Sequence, residues 1–583
     1  MNVSDWIAEY LSGHYGIKDI FGYQGTMVAW FADAIDRCDG IQNHSCQHEQ
    51  GASFAACGYA LSTGRLGAAY ATSGPGAVNL LQGVANAYMD STPVIYITGQ
   101  VNTYEYAGVE GLRQQAFQEI DIVSMAAPVT KFAATVRSAE EAVDAVERAC
   151  HIAVDGRPGP VLVDIPMDIQ RAEVNGVVAK LLKGDSGKAG VNSDFEHANL
   201  CAKAIAEALR SSERPLFLLG RGSIASIDDE FIHFIERHSI PVVTSLPART
   251  VLPTSHPLNL GHVGVGYGMR APNIVADRIA DLVVCLGASL CTRQVGVRKE
   301  GNYFAERAKV IRVDIDECSL KRRVGAVEDC YIADVRNVLR VLKGMSEDIC
   351  SFQDWADVCT RVREDCACFD DSDPGRVPNN ALRELSAFLP KRCSVFVDVG
   401  QHMMWASHSM ELGEGRRVFF SGGHGAMGWS LPAAIGAAFG SLDPVVVVTG
   451  DGGLQMNIQE LQMASSNHLP IKVIVLNNSS LGMIVACQES YLEGRRVGTD
   501  ATSGYTAPNF SAVAAAYGIG SGRLSLGDDL SRFASDLCGP APFLLEILLP
   551  AGTQCNPKAQ MGDPMWNQRP YLPEGTIDRF MAM

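Results

Sequence analysis

Two short polar clusters in the C-terminal half carry the residue types that hold a metal-bound phosphate. Gly450-Asp451-Gly452 follows the apolar run Val445–Thr449, and Asn477-Asn478 follows the run Ile471–Leu476. Positions 453–476 separate them, 24 residues, which leaves room for one helix and one strand. Both clusters are therefore expected at the carboxyl ends of neighbouring parallel strands, where open α/β sheets bind ligands. A carboxylate, a side-chain amide and a nearby backbone carbonyl are hard oxygen donors suited to Mg²⁺ carrying a diphosphate. The glycines let the backbone approach phosphate closely. A lone Gly-Asp-Gly is ordinarily a turn; its pairing with Asn-Asn after a second strand makes the signal specific.

The elements that must position these clusters recur along the whole chain. Apolar runs such as Pro93–Thr98, Val161–Ile165, Leu216–Leu219, Leu282–Leu286 and Val395–Val399 alternate with helix-length amphipathic stretches. Continuous apolar runs of this length suit strands buried on both faces, so the fold class is α/β with doubly wound parallel sheets. A chain of 583 residues exceeds one core. Composition shifts at 172–198, with Lys183–Gly190 reading as a linker, and at 345–380 divide it into blocks 1–172, 198–345 and 380–550. The Pro/Gly-rich tail 551–583 reads as an extended segment or a lid.

Composition excludes some classes of partner. A net charge of −17 opposes binding to nucleic acid or to an anionic membrane surface. No apolar run reaches the roughly 18 residues of a membrane span, and residues Met1–Trp6 have no leader pattern. The 17 cysteines are scattered, and the spacing of Cys350, Cys359, Cys366 and Cys368 matches no tetrahedral zinc pattern. A reduced, cytoplasmic protein is the expectation.

Further motifs occur in a fixed order. They are Phe21-Gly22-Tyr23, His48-Glu49-Gln50-Gly51-Ala52, Ala71-Thr72-Ser73-Gly74-Pro75-Gly76 and Ile97-Thr98-Gly99-Gln100-Val101. Ala116-Phe117-Gln118-Glu119, Gly156-Arg157-Pro158-Gly159-Pro160, Gly400-Gln401-His402, Gly425-Ala426-Met427-Gly428 and Leu481-Gly482-Met483 follow. With these motifs the chain resembles, over nearly its full length, the acetolactate synthase (large subunit) family of thiamine-diphosphate enzymes. The resemblance implies a pyrimidine-binding, a central and a diphosphate-binding domain. It implies Mg²⁺ on Asp451, Asn478 and the carbonyl of Ser480, and cofactor contacts from Gln401, His402, Gly450, Gly452 and Met483. Met427 matches the apolar wedge that bends the cofactor, and Glu49 the glutamate that hydrogen-bonds its aminopyrimidine ring so that the cofactor activates itself. On residue grounds alone Glu49 is equally a helix-start acid, and Met427 equally core. Small residues Gly51, Ala52, Ala55 and Ala56 would let this helix pack close beside a ligand. Phe117 and Gln118 match substrate-lining positions. Because Glu49 and Asp451 fall in different blocks, the family's arrangement implies a homodimer or homotetramer with the cofactor shared between subunits.

Three departures bear on substrate. Cys487 stands where the family has a tryptophan shaping the acceptor pocket, Met167 replaces a lysine, and Thr26 breaks a glycine pair. The central block keeps the Gly-rich run Gly261–Gly268 and Gly287-Ala288-Ser289-Leu290, but Arg293-Gln294 replaces part of the family's flavin motif, which leaves FAD open. That variant is closer to synthase-like enzymes of surface-sugar gene clusters. The expected activity is decarboxylation of pyruvate or a similar 2-oxo acid, with transfer of the acyl carbanion to a second carbonyl, a 2-oxo acid or a keto-sugar. A simple 2-oxo-acid decarboxylase and a non-catalytic cofactor-binding paralogue are the alternatives.

Overall fold

The computed structural model describes the chain except residues 107, 175–190, 298–302, 368–377, 442 and 560–562, and places no side chains for 191–194 and 346. The linker expected at Lys183–Gly190 lies outside the described residues, as does Cys368. Three six-stranded sheets follow one another along the chain, and every strand pairing between named strands is parallel.

The first sheet contains β1 (Asp19–Gly22), β2 (Gln42–Ser45), β3 (Gly67–Ala71), β4 (Val94–Gln100), β5 (Phe132–Thr135) and β6 (Pro160–Pro166), in the order β2-β1-β3-β4-β6-β5. The second contains β7 (Pro215–Leu219), β8 (Val242–Thr244), β9 (Asn259–His262), β10 (Leu282–Leu286), β11 (Phe304–Asp314) and β12 (Gly325–Ile332), ordered β12-β11-β10-β7-β8-β9. The third contains β13 (Cys393–Val397), β14 (Arg416–Phe420), β15 (Val445–Gly450), β16 (Ile471–Asn477), β17 (Gly520–Ser525) and β18 (Phe543–Leu548), ordered β14-β13-β15-β16-β18-β17. The seven apolar runs read as strands are all strands. Central β15 and β16 are buried throughout, as helices on both faces require, whereas edge strand β17 is half-exposed.

The first and third sheets share one core. The helix Glu49–Thr63 lies along the helix Ser430–Gly440, and Phe54, Ala55, Ala433 and Ile435 belong to the same buried cluster. A Cβ on Gly58 would stand 1.8 Å from the Ala433 carbonyl oxygen, and one on Gly436 would stand 1.8 Å from that of Ala55. Gly58 and Ala55 of this helix therefore serve helix-on-helix packing.

The second sheet has its own core, to which the helix Gln353–Asp365 adds Trp355, Val358, Cys359 and Val362. The acidic stretch read as an interdomain boundary is thus in part a packed helix whose charges face outward. The helix Val191–Ser211 likewise begins inside the interval 172–198. The tail seats Met565 and Phe580 in this core and ends in a helix, Thr576–Ala582, instead of running extended to its end.

Candidate active site

The third sheet reverses its winding between β13 and β15, since the chain passes from β13 to β14 on one side and returns to β15 on the other. The crevice outside those strand ends is the ligand position of a doubly wound sheet. A cavity of about 200 Å³ lies there. It is lined by Gln401 and His402 after β13, Gly450, Asp451 and Gly452 at the end of β15, Asn478, Ser480 and Met483 after β16, and Met427.

Three buried polar atoms of this lining have no hydrogen-bond partner: Asp451 Oδ2, Gln401 Oε1 and His402 Nε2. An unmet buried polar group costs about 1–3 kcal/mol, so three on residues of one lining fit a polar ligand that satisfies them. Burial pushes the Asp451 carboxyl up to about 6, opposed by the Tyr505 hydroxyl and the amides of Gly452 and Ser480. A divalent cation would supply the charge that favours its ionised form. Burial takes His402 down to about 3, so its ring meets a ligand as a neutral hydrogen-bonding group.

The two asparagines divide the work. Asn477 Nδ2 donates to buried Glu546 at 2.7 Å and its Oδ1 accepts from Ser479 N at 2.8 Å, which shapes the turn. Asn478 lines the cavity; its Oδ1 is reached by Ser480 N at 3.3 Å. Glycines keep the crevice open. A Cβ on Gly450 would sit 2.8 Å from His402 Nδ1, and one on Gly482 would sit 2.6 Å from Asn478 Nδ2.

Met427 is half-buried and reaches the cavity, which separates it from the core alternative. Its loop is pinned at both ends. Ser421 Oγ accepts from Gly425 N and Ala426 N, each at 3.1 Å, and donates to Asn86 Oδ1 at 2.6 Å. On the other side Asp398, fully buried, accepts from Gly428 N at 3.0 and 3.1 Å, Ser430 Oγ at 2.8 Å, Thr449 Oγ1 at 3.2 Å and Val399 N at 2.7 Å. Asp398 thereby ties the end of β13 to the Met427 loop and to the residue before Gly450. The sequence reading passed over it; the signal was a carboxylate interrupting the apolar run Val395–Val399.

Glu49 begins its helix, capped by His48, whose Nδ1 accepts from Gln50 N. It is 9% exposed, and its Oε2 accepts from Asn79 Nδ2 at 3.0 Å. Gly76 comes so near that a Cβ there would lie 3.1 Å from Glu49 Oε1. This corner adjoins the winding reversal of the first sheet, between β1 and β3. Gln118, held at φ 62°, closes on Gly74 there, while Phe117 is 78% exposed and so not core. Within one chain these residues do not join the cavity: among the described residues, nothing before Val399 lines it. Cys487 is exposed one helical turn beyond Met483 and does not line it either.

At the winding reversal of the second sheet, Gly220 N donates to the Leu286 carbonyl, Gly222 N to that of Gly287, and Gly287 N to that of Val313. Gly264 in the Gly-rich run is paired on both its N–H and its carbonyl with Asn273, at 2.9 Å each. These glycines have a packing role that needs no nucleotide. Among the described residues no helix is long and apolar enough to cross a membrane, and no group of three or more His, Cys, Asp or Glu is placed to hold a metal.

Three family models match in order: the thiamine pyrophosphate enzyme N-terminal TPP binding domain over residues 1–125, the central domain over 202–342, and the C-terminal TPP binding domain over 398–547. The acetolactate synthase large subunit of Lactococcus lactis is 34% identical over 548 residues, covering 92% of this chain and 90% of that protein. Acetolactate synthase isozyme 2 large subunit of Escherichia coli is 32% identical over 551 residues, covering 94% and 95%. Among solved structures, the thiamine diphosphate-dependent 4-hydroxybenzoylformate decarboxylase of Rhodococcus jostii superposes with a TM-score of 0.79. At 22% identity, over 95% of this chain and 100% of that one, it shares the fold.

Proposed function

The chain belongs to the acetolactate synthase large-subunit family of thiamine pyrophosphate enzymes, and from that premise we propose that it is a carboligase. It decarboxylates pyruvate or a similar 2-oxo acid and transfers the remaining acyl unit to a second carbonyl compound, a 2-oxo acid or a keto-sugar. The observation that carries this reading is the cavity at the β13–β15 crossing, whose lining includes Asp451, Gln401 and His402, each with an unpartnered buried polar atom.

Thiamine diphosphate, when bound, supplies a nucleophilic carbon and a ring that stores the electron pair released with CO₂. The protein's residues bind, orient and hold protons. Asp451, Asn478 and the Ser480 carbonyl would hold Mg²⁺, and Gln401 and His402 would contact the diphosphate. Met427 and Met483 offer apolar surface to the cofactor rings. Glu49 holds a proton at the aminopyrimidine ring. Phe117 and Gln118 line the substrate side, and Cys487 the acceptor; a cysteine in place of a tryptophan leaves space for a bulkier acceptor.

Because Glu49 stands outside the cavity of its own chain, the complete site is shared in a homodimer or a dimer of dimers. Exposed apolar side chains near both halves support that assembly, among them Tyr104, Val109, Phe117, Ile484 and Val497. The domains are taken as 1–172, 198–345 and 380–550. Free thiols such as Cys38, Cys318 and Cys487 suit a reducing, cytoplasmic compartment. FAD stays open in the reading, since the packing of Gly220, Gly222, Gly264 and Gly287 is compatible with a bound or an absent flavin.

The test is a screen of donor and acceptor pairs with thiamine diphosphate and Mg²⁺, following CO₂ and the ligated product. Ligation of pyruvate's two-carbon unit to one acceptor class is the expected result. Acetaldehyde as the sole product would replace the carboligase by a decarboxylase, and no CO₂ from any 2-oxo acid would remove both. A flavin spectrum in the purified protein would show that FAD is bound.

A further inference from the structure

Glu460 closes the short helix Ile458–Glu460 that follows the Asp451 segment, and its side chain reaches away from its own sheet into the first one. It is 0% exposed, and only burial and backbone amides act on its ionisation; no cationic side chain does. Both carboxylate oxygens accept from Gln47 N, at 3.1 and 3.2 Å, and the His48 amide also bears on the group. On the far side of Glu49, a Cβ on Gly51 would stand 2.2 Å from Glu460 Oε1 and 2.7 Å from its Cδ.

Glu460 therefore brackets Glu49, touching the backbone just before it and the glycine two residues after it. A buried carboxyl without a cation is costly to keep. The amides of Gln47 and His48, just ahead of the 15-residue helix Glu49–Thr63, are the groups that stabilise it. Burial raises its carboxyl to about 7, in line with a group held by amides alone. The contact has a geometric consequence. Gln47, His48 and Glu49 are consecutive, so fixing the first two amides fixes where the Glu49 side chain starts.

We propose that Glu460 is a positioning residue for Glu49, holding the Gln47–Gly51 backbone so that the Glu49 carboxyl meets the cofactor's ring in one orientation. The proposal rests on the reading of Glu49 given above. Glu460 itself touches neither cofactor nor substrate.

The test uses the full-length enzyme loaded with thiamine diphosphate and Mg²⁺, comparing Glu460→Gln, Gly51→Ala, their double variant and Glu49→Gln. Bound cofactor, kcat and KM for pyruvate, and amide hydrogen exchange of the peptide spanning 45–52 are read for each. Glu460→Gln should speed exchange at Gln47 and His48 and lower kcat per loaded site about 10- to 100-fold, with KM changed less than about threefold. Gly51→Ala, which displaces the same carboxylate from the other side, should reproduce the kcat loss. The double variant should be no worse than the weaker single variant, because both remove one contact. Should Glu460→Gln not fold, Gly51→Ala carries the test. Faster exchange with wild-type kcat per loaded site would reduce Glu460 to a structural tether and overturn the proposal, as would a kcat loss in the double variant equal to the product of the singles. Full turnover in Glu49→Gln would instead overturn the reading of Glu49 itself. Turnover lost in Glu49→Gln but kept in Glu460→Gln overturns the positioning role alone.

Discussion

Replacing Gly436 by alanine should separate the two sheets that carry the two halves of the cofactor site. The new Cβ would lie 1.8 Å from the Ala55 carbonyl oxygen, where ordinary contact begins at 3.4 Å, so the helices must part by 3.4 − 1.8, about 1.6 Å, or bend. The obstacle is backbone on a buried helix, and no side chain can swing aside. Overpacking of this kind costs about 1–3 kcal/mol. The functional consequence is of similar size, because Glu49 starts the helix that must move, and misplacement by about 1 Å costs about 10²-fold in rate. Melting temperature, bound thiamine diphosphate and kcat for CO₂ release would be measured on Gly436→Ala, Gly58→Ala and the double variant. Gly413→Ala is the control, since a Cβ there meets nothing within 4 Å. The two helix variants relieve each other's contact once the helices have parted, so the double should be less damaging than the sum. Wild-type melting and kcat in Gly436→Ala would refute the claim that this glycine pair sets the spacing.

Asp398→Asn puts a donor where two backbone N–H groups and two hydroxyls now find a carboxylate; it should cost about 1–3 kcal/mol in melting and lower kcat about tenfold by freeing the Met427 loop. Gly450→Ala points its Cβ at the buried His402 ring beside the cavity, so titration should show thiamine diphosphate affinity down about tenfold or more, with about 1–3 kcal/mol lost in melting of the apo protein. Asp164 is buried, and despite accepting from Thr98, Gln100 and Thr135 its carboxyl is raised from 3.8 to about 7. The folded state therefore holds this proton where the unfolded chain has lost it, and stability falls as pH rises from about 4 to about 7. Asp164→Asn should flatten that decline in melts at pH values across the window; an unchanged slope would assign it to other groups.

What the sequence made legible follows from where the interactions run. Strands buried on both faces announce themselves as apolar runs, and Asp451 and Asn478 stand directly after two of them, so neighbours in sequence are neighbours in the cavity. Glu460 was not legible, because its partner Gln47 lies 413 residues away and nothing local marks a buried acceptor. Asp398 sat inside a run read as apolar strand, and its four hydrogen-bonding neighbours are the residue after it, the Met427 loop, a helix start and β15. Ala55 was read with its small neighbours as room for a ligand, yet a small residue suits a neighbouring helix equally, and its contact with Gly436 lies far away in sequence. The helix inside the interval 345–380 was hidden for a related reason: Trp355, Val358, Cys359 and Val362 are spaced along one helix face, while the charges between them dominate composition.

The central claim is that Asp451 and Asn478 hold the cofactor through its metal while Glu49, from elsewhere in the assembly, activates it. The direct measurement is thiamine diphosphate binding and CO₂ release from pyruvate in Glu49→Gln beside Asp451→Ala, each with Mg²⁺ present. The account predicts that Glu49→Gln binds the cofactor and releases no CO₂, whereas Asp451→Ala fails to bind it. CO₂ release by Glu49→Gln, or normal Mg²⁺-dependent cofactor binding by Asp451→Ala, would contradict it.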